Sequence, residues 1–217
     1  MIGKRAVIIA SGSFGMGGAV KDCLAGADTV ICADGGADHA LRLGIMPQII
    51  LGDFDSISNN AKDSLAGQQV KAVKFPREKD KTDTQLAVEF AASQGAGEIF
   101  LLGATGSRLD HTLANLYLLT RAEELGVKLS LVDQVNQVWL VSQRIALEGS
   151  KGQFVSLLPL TSQVEGVTTR GLKYPLTAAT LKWGSSWGVS NEFLGGKAEV
   201  SIKEGLLLVI KVWEEEA

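Results

Sequence analysis

Short apolar runs alternate with helical patterns over the first part of the chain. Residues 6–10 and 29–33 are rich in apolar and β-branched side chains, which is typical of strands buried on both faces of a sheet. Four similar runs follow before residue 133, and most of them are separated by segments with apolar residues three or four positions apart. This alternation predicts a parallel, doubly wound α/β sheet.

The pattern changes near residue 136. From there on, short apolar runs are divided by Gly, Ser and Pro, and no helical pattern lies between them. The runs lie at residues 138–141, 154–158, 164–168, 198–202 and 206–212. Such spacing is typical of a small sandwich or barrel. We therefore predict an N-terminal doubly wound parallel sheet domain at residues 1–135, followed by a small all-β sandwich domain at residues 136–217.

Acidic residues and glycines follow the predicted strands of the first domain. They are Asp34, Gly35 and Gly36; Asp53 and Asp55; Asp80 and Asp83; and Gly103, Gly106, Arg108, Asp110 and His111. Because ligands of open α/β sheets bind at the carboxyl ends of the strands, we expect these residues to share one site. Glycine lets backbone N–H groups approach phosphate, a carboxylate pair holds Mg²⁺, and arginine neutralises phosphate charge. The set therefore predicts a site for a metal-bound polyphosphate.

These residues also have simpler interpretations. The closely spaced acids could form a solvated turn, and Asp83 and Asp110 could merely favour helix N-termini. His39 is expected on an exposed helix face. The glycine-rich segment 12–18 fits no known phosphate-binding fingerprint and is interpreted as a flexible loop. A turn-only interpretation, however, gives no reason why acids should collect along one edge of one sheet.

The composition is that of an ordinary globular protein, with 217 residues of which 46% are hydrophobic and 21% charged. A formal net charge of −3 gives no electrostatic case for nucleic acid. Cys23 and Cys32 have neither metal-ligand nor disulfide spacing, and no apolar run resembles a signal segment or reaches the length of a membrane span. We therefore expect a cytoplasmic protein that binds neither nucleic acid nor membrane.

The same residues carry a resemblance to the thiamine pyrophosphokinase family. The motifs are Ala33-Asp34-Gly35-Gly36-Ala37, Gly52-Asp53-Phe54-Asp55-Ser56, Lys79-Asp80-x-Thr82-Asp83 and Gly103-x-x-Gly106-x-Arg108-x-Asp110-His111, and, in the second domain, Gly171-Leu172-Lys173-Tyr174-Pro175-Leu176 and Ser190-Asn191. They follow the order and rough spacing of the family over about residues 6 to 212. Six ordered motifs in two domains are far more specific than any one of them.

The resemblance implies a fold and an activity. The family transfers a diphosphate group from ATP to the hydroxyethyl arm of thiamine, which yields thiamine diphosphate and AMP. Its members combine an N-terminal α/β domain that binds nucleotide and Mg²⁺ with a C-terminal β-sandwich that binds thiamine. They work as homodimers with sites at the subunit interface, and we expect the same here.

Carried onto matching positions, the resemblance assigns roles to individual residues. Asp53, Asp55 and Asp83 would be the Mg²⁺ ligands, and Asp80, Arg108 and Asp110 would be catalytic. The nucleotide would be bound by Asp34, Gly35, Gly36, Gly103, Gly106, Arg108 and His111, and thiamine by Tyr174, Ser190 and Asn191. Some members carry Trp where this chain has Tyr174, and Tyr174 could alternatively be a core aromatic of the β domain.

Two other functions compete with this one. The chain could be another Mg²⁺-dependent nucleotidyl or glycosyl transferase, because closely spaced aspartates after a strand also suit enzymes that use nucleotide sugars. It could also be a non-catalytic nucleotide-sensing module. An enzyme is favoured over a sensor, which has little need for acids at four strand ends together with an arginine.

Overall fold

The computed structural model describes residues 4–13, 15–78 and 80–213. The chain divides into two compact units, Met1–Gln134 and Val135–Ala217. Residue 14 of the glycine-rich segment, Lys79 of the Lys-Asp-x-Thr-Asp motif and both ends of the chain lie outside the described residues.

The first unit is built on a parallel sheet flanked by helices. Its strands are β1 (Arg5–Ile9), β2 (Thr29–Ala33), β3 (Ile49–Gly52), β4 (Lys71–Lys74), β5 (Glu98–Leu102) and β6 (Lys128–Val132), and its helices are α1 (Gly18–Ala25), α2 (Gly36–Arg42), α3 (Asn59–Leu65), α4 (Asp83–Ser93) and α5 (Leu109–Glu124). The strands lie in the order β6-β5-β1-β2-β3-β4, and each neighbouring pair is parallel. The predicted doubly wound α/β sheet is confirmed.

The strand order reverses at β1. Strands β2, β3 and β4 extend from one side of β1, and β5 and β6 extend from the other. The carboxyl ends of β1 and β5 therefore flank a topological switch point, which is where open α/β sheets bind their ligands.

Burial explains why the strands could be read from the sequence. All residues of β2 and β3 are buried, because helices cover both faces of the sheet. Strand β4 is different, since it lies at the sheet edge and its two lysines, Lys71 and Lys74, are exposed. Charged side chains on an edge strand discourage pairing with another chain.

The second unit contains two antiparallel sheets. Its strands are β7 (Asn136–Val141), β8 (Arg144–Glu148), β9 (Phe154–Pro159), β10 (Gln163–Arg170), β11 (Ala179–Lys182), β12 (Asn191–Glu192), β13 (Lys197–Ser201) and β14 (Leu207–Val212). One sheet has the order β12-β9-β14-β7 and the other β11-β10-β13-β8. Leu157 and Val209 of the first sheet share one buried core with Val164 and Val200 of the second. The predicted β-sandwich is confirmed.

Among the helices of the described residues, none combines the length and the apolar character needed to cross a bilayer.

Candidate active site

Three carboxylates meet at the carboxyl ends of β2 and β3. One oxygen from each of Asp34, Asp53 and Asp55 lies within 4.8 Å of the other two. The backbone N–H of Asp34 donates to the carbonyl of Leu51 at 2.8 Å, which continues the hydrogen bonding between β2 and β3 to the carboxyl end of β2. Asp34 (φ +45°) and Phe54 (φ +67°) both adopt left-handed backbone conformations. Such conformations are uncommon in non-glycine residues and concentrate at functional sites.

This carboxylate cluster fits a hard cation. Asp34 Oδ1 is buried and has no hydrogen-bond partner within the described part of the chain. A buried oxygen without a partner is costly, and a cation would satisfy it. Oxygen atoms of carboxylates are the protein ligands that Mg²⁺ prefers. Arg77 Nε lies 3.4 Å from Asp55 Oδ2 on the solvent side, where both side chains are exposed.

Asp83 lies beside the cluster. It is the first residue of α4, whose N-terminus is capped by the Thr82 hydroxyl accepting from the backbone N–H of Gln85 at 3.1 Å. A Cβ atom added to Gly52 would lie 3.2 Å from both Asp83 Oδ1 and Asp34 Cβ. Gly52 therefore leaves the space in which these two acids approach each other.

The cluster opens into a cavity of about 1070 Å³ in the first unit. Of the residues proposed from the sequence, those lining it are Asp34, Asp53, Asp55, Asp83, Gly103, Gly106, Arg108 and His111. Gly35, Gly36, Asp80 and Asp110 do not line it. Most of the strand-end residues are thus brought to one place by the fold.

Gly36 and Gly103 are required by close contacts with the end of β1. A Cβ atom added to Gly36 would lie 2.0 Å from the carbonyl oxygen of Ile9. A Cβ atom added to Gly103 would lie 2.4 Å from the carbonyl oxygen of Ala10. Gly103 also has φ +64°, which disfavours any other residue. The two glycines therefore let α2 and the β5–α5 loop pack against the switch point.

The β5–α5 loop is held in place by its neighbours. The buried Asn115 donates from Nδ2 to the carbonyl of Ala104 at 2.8 Å, and the Thr105 hydroxyl donates to Asp133 at 3.0 Å. The backbone N–H of Gly12 donates to the carbonyl of Gly103 at 2.9 Å. Our interpretation of segment 12–18 as a flexible loop is wrong at Gly12, which is fixed against the opposite loop of the cavity.

His39 also differs from our expectation. Its side chain is half-buried rather than on an exposed helix face, and it lines the cavity. The ring Nε2 lies 3.2 Å from the carbonyl oxygen of Ser11. No sequence pattern marks this position, because the contact depends on β1 and β2 being neighbours in the sheet.

Arg108 and Asp110 form a two-point ion pair at the start of α5. Arg108 Nη2 donates to Asp110 Oδ2 at 2.6 Å, and Nε donates to Oδ1 at 3.2 Å. Both side chains are exposed. The hydrogen bonds from Arg108 lower the pKa of Asp110 below its ordinary value. The Asp110 carboxylate thus holds the guanidinium in one orientation through two hydrogen bonds.

A second cavity, of about 250 Å³, lies in the second unit. Tyr174, Ser190 and Asn191 all line it. Tyr174 is 57% exposed, so it is not a core aromatic of this domain. Ser190 has a left-handed backbone conformation (φ +58°) immediately before β12.

The buried Asn191 holds the main chain of Tyr174. Its Oδ1 accepts from the Tyr174 backbone N–H at 2.9 Å, and its Nδ2 donates to the Tyr174 carbonyl at 2.7 Å. Oδ1 also accepts from the N–H of Glu192 at 2.9 Å. We call this pair of bonds to residue 174 the Asn191 clip, and it fixes the position from which the tyrosine ring enters the cavity.

Two models of known protein families match this chain, one in each of its two units. A family model described as "Thiamin pyrophosphokinase, catalytic domain" matches residues 20–131, and one described as "Thiamin pyrophosphokinase, vitamin B1 binding domain" matches residues 142–207. A thiamine pyrophosphokinase of Bacillus subtilis is 30% identical over 184 residues, which cover 83% of this chain and 86% of that protein.

Solved structures agree with the sequence comparison. The crystal structure of thiamine pyrophosphokinase from Bacillus subtilis superposes with a TM-score of 0.85 at 26% identity, covering 97% of this chain and 100% of that one. The thiamin pyrophosphokinase of Geobacillus thermodenitrificans gives a TM-score of 0.84 at 28% identity, covering 97% and 98%. The chain therefore belongs to the thiamin pyrophosphokinase family of enzymes.

Proposed function

We propose that the chain transfers a diphosphate group from ATP to thiamine in the presence of Mg²⁺, giving thiamine diphosphate and AMP. The carboxylate cluster of Asp34, Asp53 and Asp55 at the sheet edge is the observation that carries this proposal. Its buried unpartnered oxygen and the adjoining cavity suit a metal-bound polyphosphate. The names of the relatives supply thiamine as the acceptor.

Asp53, Asp55 and Asp83 are the proposed metal ligands, with Asp34 completing the group. When bound, Mg²⁺ would offset the negative charge of the phosphate oxygens. Phosphoryl-type transfer asks the protein mainly for positioning and charge neutralisation, and an acidic cluster opening into a wide cavity is suited to both.

A second set of residues in the first unit, which shares Asp34 with the metal group, would bind and orient the nucleotide. The proposed binding residues are Asp34, Gly35, Gly36, Gly103, Gly106, Arg108 and His111. Arg108, held by Asp110, would neutralise charge on the bridging oxygen as AMP leaves. Asp80 and Asp110 are both candidates for the base that accepts the thiamine hydroxyl proton, although a loose transition state can proceed without one.

Thiamine would bind in the second unit, in the cavity lined by Tyr174, Ser190 and Asn191. Its flat, positively charged ring system suits an exposed aromatic ring. The Ser190 hydroxyl would bond the edge of the ligand, and Asn191 would contribute through the clip on Tyr174. We further propose that the working form is a homodimer, which light scattering on the purified protein measures directly.

Incubation with thiamine, ATP and Mg²⁺ is expected to release AMP and thiamine diphosphate in equal amounts. This follows if the attack is on the β-phosphorus, with AMP as the leaving group. Chromatography of both products measures the ratio. Release of ADP with thiamine monophosphate would contradict diphosphate transfer. ATP consumption independent of thiamine would contradict the proposal that thiamine is the acceptor.

Tyr174→Ala is expected to raise the KM for thiamine about ten-fold or more. Aromatic stacking contributes about 1–3 kcal/mol and a cation over a ring about 0.5–2 kcal/mol, where about 1.4 kcal/mol is a factor of ten. The KM for ATP should stay unchanged, because the nucleotide residues belong to the first unit. Tyr117→Ala removes another exposed tyrosine, on α5, and serves as the control. A Tyr174 variant that loses thermal stability but keeps both KM values would contradict the binding role.

A further inference from the structure

Trp187 is a large aromatic residue that the fold leaves in solvent. Its side chain is 61% exposed, although it lies between strands β11 and β12 of a well-packed unit. Exposure alone assigns no role to Trp187, because Trp183 is exposed to the same extent; the backbone and the cavity around Trp187 distinguish it.

The loop that carries Trp187 is fixed. The N–H of Leu157 on β9 donates to the carbonyl of Gly188 at 2.8 Å, and the N–H of Ser190 donates to the Ser156 hydroxyl at 3.1 Å. The N–H of Trp187 itself donates to the Ser185 hydroxyl at 3.2 Å.

Gly188 makes this attachment possible. A Cβ atom there would lie 2.2 Å from the carbonyl oxygen of Leu157, so only glycine lets the loop approach β9 this closely. The indole is therefore exposed on a backbone that is held in place.

Trp187 lines the same cavity as Tyr174. The other lining residues are Leu157, Leu176, Gly188, Val189, Ser190 and Asn191, so this lining carries two aromatic rings and no charged side chain. Lys173 lies next to the cavity, with Nζ 5.4 Å from the centre of the Tyr174 ring, but its ammonium is paired with both oxygens of Glu192. A cationic ligand would therefore meet aromatic faces here instead of a carboxylate.

We propose that Trp187 is a second aromatic binding residue for thiamine, acting beside Tyr174, and this rests on the proposed function. Indole is the best of the three aromatic side chains for binding a cation, and it stacks on flat heterocycles. Two aromatic residues on fixed backbones give the cavity a preference for planar cationic rings, because little ordering is needed when the ligand binds.

The test compares Trp187 with Trp183, which is also 61% exposed but does not line this cavity. Trp187→Ala is expected to raise the KM for thiamine about ten-fold, which is about 1.4 kcal/mol. Trp187→Phe should raise it less, and Trp183→Ala should leave it unchanged. The KM for ATP should not move in any of the three variants.

Thiamine should also quench tryptophan fluorescence in the wild-type protein. The quenching should be lost in Trp187→Phe and retained in Trp183→Phe. This readout reports contact with the ring and is independent of turnover, so it decides the question even if Trp187→Ala fails to fold.

The possible failures are distinguishable. Suppose that the wild-type enzyme consumes thiamine, and that both Trp187 variants keep the wild-type KM for thiamine and the wild-type fluorescence quenching. In that case only the role of Trp187 is overturned. If the wild-type enzyme consumes no thiamine, the proposed function fails and the role of Trp187 fails with it.

Discussion

Asp53→Asn or Asp55→Asn is expected to lower Mg²⁺-dependent turnover about a hundred-fold or more without unfolding the protein. A catalytic metal contributes several kcal/mol, and each 1.4 kcal/mol is a factor of about ten in rate. Three clustered carboxylates repel one another when no cation is bound, so removing one charge should leave the metal-free protein equally or slightly more stable. Steady-state kinetics and thermal melts measure the two effects.

Asp83→Asn should behave in the same way, because its carboxylate lies beside the cluster. Mg²⁺ should raise the melting temperature of the wild-type protein, as any ligand of the folded state does, and should raise it less in the variants. Asp63→Asn changes an exposed acid on α3 and is the control. It should alter neither the Mg²⁺-dependent turnover nor the rise in melting temperature that Mg²⁺ causes. Large destabilisation with normal activity per folded molecule would make the cluster residues structural.

Arg108→Ala is expected to lower kcat about 10²–10³-fold, the usual effect of removing one group that stabilises developing negative charge. Arg108→Lys should recover only part of this loss, because lysine lacks the planar two-point geometry. The exposed ion pair with Asp110 contributes little to folding, so the melting temperature should hardly change.

A double variant separates the roles of Arg108 and Asp110. If Asp110 acts by orienting the guanidinium, Asp110→Asn should lower kcat in the wild-type background and have no further effect in the Arg108→Ala background. Additive losses would instead mean that Asp110 acts on the substrate by itself.

The sequence predicted the main elements of the first unit because their burial is visible in it. Strands such as β2 and β3 are buried along their whole length, and they read as unbroken apolar runs. Helix α3 was missed, since its segment is mostly polar and only Ala61 is buried. Its start depends on Ser58, whose hydroxyl accepts from Ala61 N–H and whose backbone N–H donates to Asp38, a contact 20 residues away in sequence.

Strands β8 and β11 were missed for a related reason. Both are short and bury only one residue each, so they lack the apolar runs that mark the other strands. They form because β13 and β10 offer them hydrogen-bonding partners, and that pairing exists only in the folded protein.

The strand-end acids could be located from the sequence, but the relations between side chains could not. The register of β2 and β3 and the left-handed backbone at Asp34 and Phe54 bring three carboxylates together. These are Asp34, Asp53 and Asp55. The same limit applies to Asn191. Its residue type indicated a polar binding group, whereas the structure shows its amide bonded to residue 174, which lies 17 positions earlier in the chain.

The Asn191 clip holds the backbone at residue 174 independently of the side chain that this residue carries. Both bonds are to the main chain of residue 174, through its N–H and its carbonyl, and neither involves the tyrosine ring. The aromatic side chain at this position can therefore be exchanged for a larger or smaller one while the backbone that presents it stays the same. We therefore expect single substitutions at residue 174 to change which ligands the cavity accepts, whereas loss of Asn191 should displace any side chain at residue 174.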